Sequence, residues 1–262
     1  MIEPYREPSE AEAEGGPELT IMEHLEELRS RIVKAGIALI VCTMLSLTFT
    51  RYLLELLIQP MGDRSPVALR PTETIIIYFK IALISGLVFA MPFILYQMAR
   101  FVMPGLTGKE RRYLFVLVPA GTLLFATGVA FAGLVTLPFA IKYLQGFLAD
   151  LVAPTYSIDY YISFVTTILF WIGLVFEMPL IIAFLARLGI VSPKFLSKNR
   201  KFALLIIAVL AAMITPTPDP FNMTLVMLPL FGLYEVGVLL ARLTYQPRTA
   251  PQPEPNAEVK KS

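Results

Sequence analysis

Charge is the scarcest resource in this sequence. Asp, Glu, Lys and Arg make up 16% of its 262 residues, against 56% hydrophobic residues and a mean hydropathy of +0.68. A soluble domain carries about 25% charge, so the deficit excludes an ordinary water-soluble globule and points to a membrane protein. Cysteine is reduced to Cys42, inside an apolar run, which rules out an intrachain disulfide. Histidine is reduced to His24, with no cysteine or carboxylate cluster of ligating pattern beside it. No metal site is expected there, and the ring reads as a solvated interfacial side chain. The first 20 residues set Glu3, Glu7, Glu10, Glu12, Glu14 and Glu18 against a single Arg6, and no apolar run begins before Ile32. That is the reverse of a basic n-region, so residues 1–19 are expected to be a disordered acidic leader and not a cleaved signal peptide. The chain also lacks G-x-S-x-G, H-E-x-x-H, Walker A and G-x-G-x-x-G patterns. Neither an enzyme, nor a cofactor, nor a nucleic-acid partner is expected.

Long apolar runs are what the chain does have. A bilayer core of roughly 30 Å needs about 20 apolar residues as helix. Ile32–Thr50, Ile75–Ala99, Tyr113–Ile141 and Tyr160–Ala186 meet that requirement. Phe202–Ile214 and Phe221–Ala241 are separated by Thr215-Pro216-Thr217-Pro218-Asp219-Pro220, whose prolines force a tight turn and hence a hairpin. Its first arm, at about 20 Å, is too short for a normal bilayer, and Pro229 and Glu235 are expected to shorten the second. A short hairpin must thin the membrane or leave a hollow in the protein. The expected fold is therefore all-α: a six-helix membrane domain over 20–242 with short fifth and sixth helices and a concave groove, followed by a disordered tail over 243–262.

Lys and Arg set the orientation. Arg6, Arg29, Arg31, Lys34, Arg100, Lys109, Arg111, Arg112, Arg187, Lys194, Lys198, Arg200, Lys201, Arg242, Arg248, Lys260 and Lys261 fall on one side. Arg51, Arg64, Arg70 and Lys142 fall on the other, and Lys80 lies inside the second span. Both termini are expected in the cytoplasm.

A few polar residues stand out from this background. Thr20-Ile21-Met22-Glu23 has the form of a capping box. Ile21, Leu25, Leu28 and Ile32 then share one helical face, so an interfacial amphipathic turn should lead into the first span. Glu27 has two readings: an i,i+4 partner of Arg31, or a carboxylate offered to a cationic ligand. Glu110 has the same ambiguity, since Thr107 and Glu110 repeat the T-x-x-E pattern at the start of the third span. Glu177 sits inside the fourth span, about 15 Å of helix from Arg187, with Pro179 loosening the helix beside it. A carboxyl at that depth is costly and marks a functional site by default; the bland alternative is a protonated side chain bonded within the bundle. Glu235 reads as either a buried or an interfacial group.

Four stretches, taken together, resemble a known family. His24-Leu25-Glu26-Glu27-Leu28-Arg29-Ser30-Arg31, Phe101 through Arg112, Phe176-Glu177-Met178-Pro179 and Thr215 through Phe221 are similar to TatC, the core subunit of the twin-arginine protein translocase. The resemblance runs from about Thr20 to Arg242 with motif order kept. It implies a signal-peptide receptor of the cytoplasmic membrane that binds twin-arginine signal peptides of folded cargo. It also implies recruitment of single-span TatA and TatB type subunits for transport driven by the protonmotive force, and self-association in a larger receptor complex. Residue by residue, the resemblance assigns Glu27, Glu110, Arg29 and Phe101 to the signal peptide, Glu177 to a partner's helix, and Pro60 and Asp219 to external loops needed for transport. Glu26, beside Glu27, leaves open which carboxylate faces the ligand. The competing readings are a secondary transporter using Glu177 as a proton relay, and a scaffold without a ligand.

Overall fold

The computed structural model describes residues 21–62, 65–106, 108–147, 149–151, 155–215 and 219–246, with the side chains of Lys109 and Glu110 outside the described atoms. The expected leader 1–19 and most of the expected tail 243–262 fall outside the described residues. Among the described residues every regular element is helical, and one isolated parallel bridge joins Val67 to Ser157.

The elements are α1 (Ile21–Leu47), α2 (Thr50–Ile58), α3 (Glu73–Val102), α4 (Gly108–Phe131), α5 (Leu137–Gly146), α6 (Ile158–Phe176), α7 (Met178–Arg187), α8 (Pro193–Lys198), α9 (Arg200–Ile214) and α10 (Pro220–Thr244). A π turn, Ala132–Thr136, joins α4 to α5 without a break in the rod. Five of these rods are long and apolar enough to cross a membrane: Ile21–Leu47, Glu73–Gly105, Arg111–Gly146, Ile158–Arg187 and Pro220–Thr244.

Three details depart from the sequence expectation. The interfacial turn and the first span are one helix of 27 residues, which ends at Leu47 and not at Thr50. There the Tyr78 hydroxyl donates to the Leu47 carbonyl at 2.9 Å, and α2 turns off as a separate element. The sixth helix is not short: α10 runs 25 residues, about 37 Å, straight through Pro229. One proline forfeits one N–H bond, whereas ending the helix in lipid would strand several backbone groups at once. Glu235 does not break it either, because Arg200 at the start of α9 donates to Glu235 at 2.7 Å. The fifth helix is short as expected, with α9 at 15 residues spanning about 22 Å.

Without a hydrophobic force between helices in lipid, association depends on close packing of small residues. Ala82, Gly86 and Ala90 form such a stripe, one residue per turn, on the buried side of α3. A Cβ on Gly86 would lie 2.5 Å from the Thr43 hydroxyl and 2.6 Å from its Cα, so α1 crosses α3 at a distance only glycine permits. The main core lies among α3, α6 and α10, with Ile77, Ile162, Val165, Ile172, Leu230 and Val238 buried.

The bundle has two distinct ends. At one, α2 and the turn Gln59–Met61 form a cap, fastened by Tyr161 donating to the Leu57 carbonyl at 2.7 Å and Gln145 donating to the Met61 carbonyl at 3.2 Å. The Val67–Ser157 bridge ties the two connecting segments there, and Lys80, the cation inside the second span, pairs with Asp159 at 2.7 Å. The other end is basic and carries Arg29, Arg31, Arg100, Arg111, Arg112, Arg187 and Lys194.

Candidate functional site

The basic end brings together the start of α1, the end of α3 and the start of α4. Glu27 lies on α1, one turn before Arg31. Arg31 donates to Glu27 Oε1 from Nη2 at 2.9 Å and from Nε at 3.3 Å, and its Nη1 donates to Gln97 Oε1 at 3.3 Å. Glu27 and Arg31 are both largely buried, with side chains 19% and 18% exposed. The i,i+4 reading of Glu27 is thus realised, and α3 extends it through Gln97. The second carboxylate oxygen, Oε2, accepts no hydrogen bond from a described residue. Glu26, its neighbour, is exposed.

His24 is exposed, as expected, and also stacks on Phe101 with ring centroids 4.4 Å apart and an interplanar angle of 17°. This contact pins the start of α1 against the end of α3. Arg29 is exposed and points away from the Glu27–Arg31 pair in sequence phase, two residues on from Glu27. Beyond Phe101 the chain makes a tight turn, Met103–Gly105, held by Arg111 Nε donating to the carbonyls of Met103 and Leu106 at 3.1 Å each. Glu110 occupies the first turn of α4 just past that turn, and its side chain lies outside the described atoms. The structure therefore gathers Glu27, Phe101 and the backbone of Glu110 at one end of the molecule.

Glu177 lies at the break between α6 and α7. Its N–H reaches back to the Leu174 carbonyl at 3.1 Å, a tighter turn than α-helix, because Pro179 cannot continue the regular ladder. The side chain is 4% exposed, and Oε1 has no hydrogen-bond partner among the described residues. Its other oxygen faces α4: a Cβ on Gly121 would lie 2.9 Å from Oε2, with Leu95 and Leu180 closing the sides. The expected groove beside the fifth and sixth helices is thus not where this carboxyl points. The opposite face of α7 packs on α10, where Gly237 meets Ile182 and Pro179.

The residues expected in the external loops take defined structural places. Pro60 lies in the Gln59–Met61 turn and helps line an apolar hollow of about 600 Å³ between the cap and helices α3 to α6, together with Leu57, Ile81, Val88, Leu137 and Leu169. Asp219 is the N-cap of α10: its Oδ1 accepts the Asn222 N–H at 2.7 Å and its Oδ2 accepts from Asn222 Nδ2 at 2.9 Å. Asp followed by Pro at the first helical position is a helix-start signal that sequence alone could have supplied. Pro216 and Pro218 fall outside the described residues.

Two residues at these sites had no sequence signal. Gln97 is 66 residues from Arg31 and looks like any polar residue near a span end. Glu73 is buried at 6% exposure, where it accepts the Leu69 N–H at 2.9 Å and the Ser157 hydroxyl at 3.4 Å.

Comparison with known proteins agrees with this layout. The family model of the Sec-independent protein translocase protein TatC matches residues 23–229. A TatC of Carboxydothermus hydrogenoformans is 38% identical over 226 residues, covering 86% of this chain and 93% of the relative. A TatC of Aquifex aeolicus is 36% identical over 231 residues, covering 86% and 95%. A crystal structure of the twin arginine translocase receptor TatC superposes with a TM-score of 0.76 at 36% identity, covering 85% of this chain and 99% of that one. The family match runs from the start of α1 into α10, and the chain belongs to the TatC family of Sec-independent protein translocase proteins.

Proposed function

We propose that this chain is the receptor for twin-arginine signal peptides, with Glu27 and Glu110 reading the arginine pair at the cytoplasmic face. The observation that carries the proposal is the state of Glu27. One of its oxygens already holds a guanidinium, that of Arg31, while the other accepts no hydrogen bond from a described residue. Arg31 occupies Oε1 alone, and a peptide guanidinium can reach the remaining oxygen with a planar, charge-assisted contact that an ammonium does not reproduce. Arg31, itself held by Gln97, fixes the carboxylate in place, so little ordering is needed when the peptide arrives. Phe101 and Arg29 flank the site, the first as an apolar contact and the second as an exposed cation that disfavours the wrong register.

The rest of the family's role follows the same reading. Both termini lie in the cytoplasm, and the membrane is the bacterial or archaeal inner membrane. Glu177 meets a polar side chain of a TatA or TatB type helix, and several copies of the chain assemble in the receptor complex.

Peptide affinity in nanodiscs tests the central point. A charge-assisted hydrogen bond contributes roughly 1.5–3 kcal/mol, less where wet, and 1.4 kcal/mol is tenfold in affinity. Glu27→Ala and Glu110→Ala should each weaken binding about tenfold, and the double variant should lose less than the product if both hold one ligand. A twin-lysine peptide should bind poorly to the parent. Equal affinity across parent and variants, with folding intact, would sink the proposal.

A further inference from the structure

The connection from α7 to α9 and the first turn of α9 carry Lys194, Lys198 and Lys201, which the signal-peptide reading does not use. All three are exposed. Between Met178 and Tyr245 the sequence holds two acids, Asp219 and Glu235. Asp219 caps α10 at the opposite end of that helix, and Glu235 is taken by Arg200 at 2.7 Å. Among the described residues no carboxylate pairs with any of the three lysines.

The segment is built and not loose. Ser192 caps α8 by accepting the Phe195 N–H at 3.1 Å. Leu196 packs on the core while its carbonyl accepts the Tyr234 hydroxyl at 2.8 Å. Arg242 donates to the Ser197 hydroxyl at 3.3 Å, and Asn199 donates to the Phe195 carbonyl at 2.9 Å. With Leu196 turned inward, Phe195 and Phe202 remain outside with the lysines, at 61% and 67% exposure. Exposed aromatics among lysines at the end of a span are the composition of a membrane interface facing anionic lipid.

The neighbouring span supplies the second reason. At about 22 Å, α9 falls short of a hydrocarbon core of roughly 30 Å, and Leu205, Ile206 and Val209 are exposed along it. A short lipid-facing helix draws the leaflet surface toward itself, which brings headgroup phosphates down to the level of Lys198 and Lys201. Arg200 and Lys201 also stand at the positive end of the α9 dipole with no acid in its first turn. Glu235 compensates Arg200 there at 2.7 Å, which leaves Lys201 without a carboxylate among the described residues.

We propose that this platform binds the headgroup of an anionic phospholipid, with its phosphate on Lys194, Lys198 and Lys201 and its acyl chains along Phe195, Phe202 and the outer face of α9. The full chain, purified in neutral detergent, is offered equal amounts of phosphatidylglycerol and phosphatidylcholine, and retained lipid is counted by native mass spectrometry. A basic residue near an anionic surface is worth about 1 kcal/mol, or roughly fivefold in affinity. The parent should prefer phosphatidylglycerol. The triple Lys→Gln variant should lose that preference by on the order of a hundredfold, and the triple Lys→Arg variant should keep it. If the triple Gln variant does not fold, Lys198→Gln alone should lower the preference roughly fivefold. A parent without preference, or a folded Gln variant that keeps it, overturns the proposal. Displacement by glycerol phosphate as effectively as by the lipid also overturns it, since the site would then take a soluble phosphate.

Discussion

Glu73 and Glu177 are buried to nearly the same degree, 6% and 4% exposed, yet their surroundings differ completely. Glu73 stands at the cap end with a backbone N–H and a serine hydroxyl on one of its oxygens, and through them it joins the segment at Leu69 to the segment at Ser157. Glu177 stands in the fourth rod with an oxygen that no described residue bonds, against a glycine. Burial alone therefore says little about what a carboxylate does. The inventory of donors says more, because an unmet buried acceptor costs about 1–3 kcal/mol.

The difference can be broken by substitution, and the largest effect belongs at Glu73. Glu73→Ala leaves Ser157, which is buried, and the Leu69 N–H without their acceptor, so unfolding in detergent should come roughly 2–3 kcal/mol more easily. Glu73→Gln keeps an acceptor and should lose less than half of that. A Glu73→Ala protein as stable as the parent would remove the distinction between the two sites.

Gly121→Ala comes next. The added methyl would sit 2.9 Å from Glu177 Oε2, and overpacking of this kind costs about 1–3 kcal/mol. Combining it with Glu177→Ala should recover most of the loss, because the colliding oxygen is gone. Additive losses in the double variant would show that Leu95 and Leu180, not the carboxyl, set the limit.

The smallest stability effect is expected for Glu177→Ala alone, from zero to about 1 kcal/mol of stabilisation as an unpartnered polar group leaves the interior. Its signature should appear instead in co-purification of single-span partner subunits. Interhelical hydrogen bonds in membranes average about 0.6 kcal/mol, so the loss should be a few-fold, with Glu177→Gln retaining more. Partner recovery and transport that both match the parent would return Glu177 to a structural role.

Much of this architecture was legible in the sequence, and its failures have physical causes. Spans are legible because lipid selects for long unbroken apolar runs whatever their neighbours. The Glu27–Arg31 pair is legible because i,i+4 contacts are fixed by the helix itself. Gln97, the His24–Phe101 stack and the Arg200–Glu235 pair are not, since each depends on how two helices cross, which no local pattern encodes. Pro229, expected to shorten the last span, does not, because in lipid the alternatives to helix are not solvated. The Glu73 latch is not legible, because a Glu opening a helix is common and only the fold reveals what it holds.

The π turn at Ala132–Thr136 has a consequence of its own. It inserts one extra residue into an otherwise continuous rod, so everything beyond it is rotated by about 100° relative to an uninterrupted helix. Leu137, Ala140 and Ile141 are buried in that shifted phase. The five residues act as a key cut to a particular angle. Deleting one of them would leave the hydrophobicity of the span untouched and still turn these three side chains toward lipid, separating insertion into the membrane from correct assembly within it.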